Sequence, residues 1–251
     1  MRADYRLPRL FVTDDLVARS SVELDKNQSN YLLNVMRLKD NETILVFNGR
    51  DGEWRASVER QGKKGAALKI AEQTRAQPPR PDLHYLFAPL KVGRMDYMVQ
   101  KAVEMGVGVL QPVQTQHTQM PKINGDRLEA NIREAAEQCG VLALPELRPL
   151  QKIGTILERW DHSRQIVYCD EDASGNDPLP LLSSLADGPM AVLIGPEGGF
   201  SEEERVMLRA LTFVTAIPLG PRILRADTAA VAALALVQAV RGDWRGSPAS
   251  G

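Results

Sequence analysis

Three prolines in four positions, Pro78, Pro79 and Pro81, interrupt the chain within Gln77-Pro-Pro-Arg-Pro-Asp82. Each proline fixes φ, lacks an amide hydrogen and pushes the residue before it out of the helical region. No helix or central strand passes through such a segment, so the chain on either side folds as a separate part. Charge changes at the same place. Residues 1–80 carry 15 Lys+Arg against 11 Asp+Glu, a net of +4, and residues 81–251 carry 16 against 21, a net of −5. The formal charge of −1 for all 251 residues hides a mildly basic part beside an acidic one. Neutral overall charge therefore does not exclude a nucleic-acid partner. The expected division is one domain over residues 1–77, a second over 78–245 and a tail over 246–251.

The first part reads as short strands. Leu10-Phe-Val12, Ser21-Val-Glu-Leu24, Thr43-Ile-Leu-Val-Phe47, Trp54-Arg-Ala-Ser-Val58 and Ala66-Ala-Leu-Lys-Ile70 are β-rich or alternating. The glycine-containing stretches Asn48–Gly52 and Gln61–Gly65 separate the last three as hairpin loops do. Between the second and third strands, Leu32, Leu33 and Met36 form a helical stripe over Asn30–Leu38. A small closed barrel, which removes exposed sheet edges, is the economical expectation.

The second part alternates strand and helix. Leu83–Ala88, Val109–Val113, Gln165–Cys169, Met190–Ile194 and Phe213–Ile217 read as strands. Met95, Met98, Val99 and Ala102 mark a helix ending near Gly106, and Leu128, Ile132, Ala135, Ala136 and Cys139 mark another. Ser201-Glu-Glu-Glu204 matches a capping box, and Thr228–Arg241 reads as the last helix, capped by Asp227 or Thr228. This alternation specifies an α/β layer fold with a mostly parallel sheet. Cys139 and Cys169 share no metal-binding spacing, and the three histidines lie far apart, so no metal site is expected. The first residues lack the apolar core of a signal peptide, and the longest apolar run, Ala229–Val237, is too short to span a bilayer. A cytoplasmic protein with no membrane association is expected.

Two glycine-containing loops follow consecutive strands, where open α/β sheets bind ligands. Gly195-Pro-Glu-Gly-Gly-Phe-Ser201 is neither a dinucleotide fingerprint nor a phosphate loop, because Pro196 and Glu197 stand where a pyrophosphate needs bare amides. Its glycines permit close approach of a ligand or a tight strand-to-helix turn; the residues alone leave both open. Leu219-Gly-Pro-Arg-Ile-Leu-Arg-Ala-Asp-Thr228 sets Arg222 and Arg225 in otherwise apolar surroundings, with no acidic run beside them.

These two loops resemble the signature loops of the SPOUT superfamily of RNA methyltransferases. The chain is similar, more closely, to the bacterial ribosomal RNA small-subunit methyltransferase E family. Arg9-Leu-Phe11, Asn30–Leu38, Gln100–Gly106 and Glu134–Cys139 agree in order over nearly the whole chain. The resemblance implies a PUA-like RNA-binding barrel, then a SPOUT-type α/β domain with a trefoil knot. It implies a homodimer, S-adenosyl-L-methionine as cofactor, and methylation at N3 of a specific uridine in 16S rRNA, within the small ribosomal subunit.

Carried over residue by residue, the cofactor pocket takes Leu193, Ile194, Gly195, Pro196, Glu197, Gly198 and Gly199 from the first loop. From the second it takes Leu219, Gly220, Ile223, Leu224 and Thr228. Apolar Leu193, Leu219, Ile223 and Leu224 suit an adenine ring, with backbone groups reading its edge. Arg225 is the candidate for stabilising charge that develops on the uracil oxygens, and Glu197 for orienting the site or accepting the proton. The chain departs from the commoner family pattern at Asn30 (often His), at Thr115-Gln-His117 (often Thr-Glu-Arg), at Val141 (often basic) and at Asp227 (often Glu).

Candidate RNA contacts are Arg2, Arg6, Arg9, Asn30, Arg37 and Lys39 in the basic part, and Lys91 and Arg94 at the head of the second part's first helix. Such cations neutralise phosphates without reading sequence. Two rival functions share the same features. One is a SPOUT methyltransferase acting on tRNA or on a ribose 2′-hydroxyl, and the other is a non-catalytic RNA-binding ribosome-assembly protein.

Overall fold

The alternating segments of the first part form one five-stranded sheet in the computed structural model, which describes residues 6–120, 122–173 and 175–245. Arg2 and the expected tail 246–251 lie outside the described residues. The strands are β1 (Arg9–Phe11), β2 (Ser21–Glu23), β3 (Thr43–Phe47), β4 (Glu53–Gln61) and β5 (Gly65–Arg75), ordered β1-β3-β4-β5-β2. β1 runs parallel to β3, and the other pairs are antiparallel. The expected closure is not made by backbone pairing, for β1 and β2 remain the two ends of the path. Both are three-residue strands, a length that itself limits edge pairing.

The helix between β2 and β3 begins earlier than its apolar stripe suggests. Asp25 accepts from the Gln28 amide while the Gln28 side chain accepts from the Asp25 amide, so α1 (Lys26–Asn30) starts at this capping box. It continues as a π-helical turn, Tyr31–Val35, that sends Leu32 and Leu33 into the core with Leu10, Val22, Ile44, Val58 and Leu68. Met36, expected on the same face, is 39% exposed because the wider turn rotates it outward.

Glu53 is a buried carboxylate in this part. Its carboxylate accepts from Arg9 Nε at 3.0 Å, Arg75 Nε at 2.9 Å, Arg75 Nη2 at 2.7 Å and Thr74 Oγ1 at 2.9 Å. Burial by itself would raise its pKa, but the hydrogen bonds from Arg75, Arg9 and Thr74 outweigh it and hold the carboxyl below the usual glutamate range. Arg9 is therefore no phosphate contact: its side chain is 3% exposed and spent on Glu53.

The compact unit built on this sheet is Met1–Arg80 together with Ala136–Leu144, a segment that the sequence pattern had placed with the second part. Polar contacts explain the attachment. The Phe11 amide donates to Glu137 Oε1 at 2.8 Å, and Arg75 Nη2 to the Gly140 carbonyl at 3.1 Å.

The second unit, Pro81–Ala135 with Pro145–Gly251, is layered. Its sheet contains β6 (Leu83–Phe87), β7 (Val109–Gln114), β8 (Glu146–Leu147), β9 (Gln151–Lys152), β10 (Gln165–Cys169), β11 (Met190–Ile194) and β12 (Val214–Ile217). All pairs are parallel, in the order β12-β10-β11-β6-β7-β8, with β9 also on β7. Leu86, Ile166, Tyr168, Ala191 and Leu193 face Ile153, Ile156 and Leu157 of α4 (Ile153–Glu158) and Leu208 of α6 (Glu202–Arg209). Elsewhere in the unit, α2 (Val92–Glu104) packs on α7 (Ala226–Arg241), and α7 on β11. The remaining helices are α3 (Gly125–Cys139) and α5 (Leu179–Ser184).

Caps locate the helices around the later strands. Ser201 and Glu204 make the reciprocal capping box that opens α6. α7 starts two residues before its expected first residue: Arg225 is its N-cap, without a side-chain cap bond, and neither Asp227 nor Thr228 caps it. Asp227 instead sits in the first turn, where it accepts from the Thr228 amide at 2.9 Å and suits the positive end of the helix dipole.

Candidate cofactor cleft and RNA-facing residues

β10, β11 and β12 end side by side, and the loops leaving their carboxyl ends enclose a cleft of about 460 Å³. Its walls are Cys169, Asp170, Glu171, Ala173, Gly175 and Asn176 after β10, the loop after β11, and Pro218–Arg225 after β12, with Arg94 reaching in from α2. Of the cofactor candidates, Ile194, Gly195, Pro196, Glu197, Gly199, Leu219, Gly220, Ile223 and Leu224 line it, as does Arg225. Three others do not. Leu193 lies inside β11 and alternation points it into the core, fully buried. Gly198 turns its carbonyl toward His117. Thr228 faces away on α7, and Ala226 and Ala229 line the cleft in its place.

The glycines of the first loop answer to two constraints. A Cβ on Gly195 would stand 2.5 Å from the Phe200 ring, so the loop closes over that ring only with glycine. Gly199 has φ +69°, and its amide donates to the Pro196 carbonyl at 2.9 Å, completing a tight turn.

Sequence reasoning missed the third wall. Asp170, 3% exposed, accepts from Arg209 Nη2 at 2.5 Å and lies 3.5 Å from Arg205 Nη1. Arg205 also binds Glu171 at 2.9 Å and pairs with Asp172. The available signal was the acidic run Asp170-Glu-Asp172 directly after a parallel strand, the position where ligand-binding groups gather. Burial, with Asp170 adding to it, pushes the Cys169 thiol up to about 12, so this cleft cysteine is neutral and no nucleophile. Burial and Asp170 likewise raise the pKa of Tyr168.

Glu197 is ion-paired with Arg94. The pair occupies both residues: Arg94 is tied to the loop, where the sequence pattern offered it to RNA. Arg225 is exposed at the rim. Among the RNA candidates Arg6, Asn30, Arg37, Lys39 and Lys91 are exposed. Asn30 Oδ1 accepts from Asn34 Nδ2 at 2.8 Å, and Arg37 adopts φ +58°, a left-handed conformation uncommon for a residue with a side chain. Among the described residues no cluster of His, Cys, Asp or Glu is arranged to hold a metal ion, and no helix is long and apolar enough to cross a membrane.

The cleft fits S-adenosylmethionine in size and chemistry. About 460 Å³ lies in the range of small-cofactor sites. Ile194, Leu219 and Leu224 offer apolar surface for an adenine ring, and Asp170, Glu171 and Glu197, each paired with an arginine, line the same cleft.

A parallel sheet with such a cleft at its carboxyl edge, in a chain that also carries a small β-unit, defines the class, and the comparisons agree. The family model described as RNA methyltransferase domain matches residues 77–238, and the RNA methyltransferase PUA domain matches residues 24–71. The chain belongs to this family of RNA methyltransferases. Within it, the chain belongs to the ribosomal RNA small subunit methyltransferase E family. It is 30% identical to that protein of Rickettsia conorii over 92% of this chain and 94% of the relative. A crystal structure of ribosomal RNA small subunit methyltransferase E from Neisseria gonorrhoeae bound to S-adenosyl methionine superposes with TM-score 0.82. It shares 26% identity and covers 95% of this chain and 99% of that one. A protein from Legionella pneumophila in complex with the bound cofactor SAM also gives 0.82, at 28% identity over 94% and 98% of the two chains.

Proposed function

We propose that this chain methylates N3 of one uridine in 16S rRNA, with S-adenosylmethionine as methyl donor. Methylation of small-subunit ribosomal RNA is the activity of the family to which the chain belongs, and the choice of atom and nucleotide is our reading. The observation that carries it is the convergence of both glycine loops and Arg225 on one cleft at the ends of adjacent parallel strands.

When bound, the cofactor supplies an electrophilic methyl group on sulfur. The chain's own residues supply the rest. Holding the two reactants in line accounts for most of the acceleration such a site provides. In this reading Arg225, exposed at the rim, stabilises the negative charge that grows on a uracil oxygen as N3 loses its proton. The Glu197 carboxylate is held by Arg94, so its part is to orient the loop. Asp227, in the first turn of α7, remains the alternative acceptor.

Arg225→Ala is expected to lower turnover about 100-fold, the usual size for one lost oxyanion donor, with cofactor affinity changed less than about twofold. Equal loss of both would make Arg225 a binding residue. Nucleoside mass spectrometry of small-subunit rRNA methylated by the purified chain tests the reading directly. The expected product is 3-methyluridine, and a 2′-O-methyl nucleoside or methylated tRNA would overturn it.

The same reading includes a homodimer, a trefoil knot in the α/β unit, the small ribosomal subunit as substrate and a cytoplasmic site of action.

A further inference from the structure

The turn after β7 lies outside the cleft, yet it grips the loop that forms one cleft wall. His117 places Nδ1 3.2 Å from the Gly198 carbonyl oxygen and 3.2 Å from that of Gly199. Carbonyl oxygens only accept, so Nδ1 carries the hydrogen and shares it between them. His117 Cβ also stands 3.5 Å from the place a Gly198 Cβ would take. One residue earlier, the Gln116 amide donates to Glu204 Oε1 at 2.8 Å, while Glu204 Oε2 accepts from the Ser201 amide at 3.0 Å. The turn has its own brace: the Thr118 amide donates to the Thr115 carbonyl at 3.2 Å, and the Thr115 amide to Thr118 Oγ1 at 2.9 Å.

The glycine half of the cleft loop is therefore held at both ends from outside. His117 takes the carbonyls of Gly198 and Gly199, and Gln116 reaches the Ser201 cap through Glu204. Two consecutive glycines are the softest backbone in the cleft wall, and ordering them on ligand binding would cost affinity.

We propose that His117 is a positioning residue for cofactor binding: its Nδ1–H holds the Gly198 and Gly199 carbonyls outward and so presets the Pro196–Gly199 turn. The proposal rests on the methyltransferase reading above. His117 touches no reacting atom in it, and its whole effect passes through the loop.

Three substitutions separate this role from general packing. Asparagine carries Nδ2 where histidine carries Nδ1, and glutamine places its amide one bond farther out. Calorimetric Kd for S-adenosylmethionine is expected to rise about tenfold in His117→Ala and His117→Gln, the size of one lost hydrogen bond. In His117→Asn it stays within about twofold of the parent chain, since the donor is kept. Amide hydrogen exchange of Gly198–Ser201 in the cofactor-free chain is expected to follow the same order, with unchanged melting temperature in all three. Loss in His117→Asn equal to that in His117→Ala, or parental exchange and binding in all three, would overturn the proposal. A parent chain that binds no cofactor would overturn the methyltransferase reading instead, and the exchange measurement would still decide the role of His117.

Discussion

Glu53 in the β-unit and Asp170 in the α/β unit are built alike: each is a buried carboxylate shared by two arginines. Glu53 meets Arg9 and Arg75, and Asp170 meets Arg205 and Arg209. Their surroundings differ. Arg9 is sealed at 3% side-chain exposure, and Thr74 takes up a remaining lone pair of Glu53. Arg209 is 45% exposed, and Asp170 stands in the wall of an open cleft. A paired charge that water and ligands cannot reach holds a structure together; the same arrangement at a cleft edge is available to chemistry. Residue type therefore does not separate a stabilising arginine from a functional one, but access does.

Substitution at the sealed site should have the largest effect. Glu53→Gln leaves two guanidinium groups without a counter-charge, and removing one partner of a buried pair costs about 3–5 kcal/mol. Denaturant titration should show that loss, with cofactor affinity untouched. A loss below about 1 kcal/mol would mean that water reaches the cluster.

Acid should then separate the two units. Burial, reinforced by Arg164 and Arg148, pushes His84 of the second unit from 6.5 down to about 4. The unfolded chain takes up this proton first, so the stabilisation is complete above 6.5 and is lost as pH falls toward 4. Its full size is about 3 kcal/mol. Glu53 has a depressed pKa, so its contribution persists until pH falls below the ordinary glutamate value of 4.5. Segment-resolved hydrogen exchange between pH 6.5 and 4.5 should show the α/β unit weakening first. His84→Gln should abolish that order.

Asp170→Asn should cost less than Glu53→Gln, about 1–2 kcal/mol, because half-exposed Arg209 can rehydrate. It should weaken S-adenosylmethionine binding measurably, which Glu53→Gln should not. The smallest effect in free energy concerns RNA. Arg37→Glu with Lys39→Glu should weaken rRNA binding and flatten its salt dependence by about 0.7 per lost phosphate contact. Arg9→Gln should instead lower the melting temperature and leave the salt slope alone.

Much of this was legible in the chain. The strands of both parts, the Ser201–Glu204 cap, the glycine turn at Gly106 and the two cleft loops follow from local pattern, because each depends on residues a few positions apart. What local pattern does not show depends on distance. Arg9 reads as a surface cation in the sequence, whereas Glu53, 44 positions away, holds it in the core. Leu193 belongs to the right segment but to the wrong face of its strand. The short α4, α5, β8 and β9 carry too few residues to show a period. Ala136–Leu144 joined the first unit through bonds to Phe11 and Arg75 that no neighbouring residue announces.

The amino-acid sequence by itself determined the class of fold, the proline break and the identity of the loops that make the cleft, since propensity, periodicity and glycine placement act locally. Only the tertiary structure decided which of those residues face the cleft, which arginines are sealed away, and that His117 braces the glycine loop from behind. Burial and hydrogen bonding are set by groups brought together across the chain, and they convert one residue type into a strut in one place and a reactive surface in another.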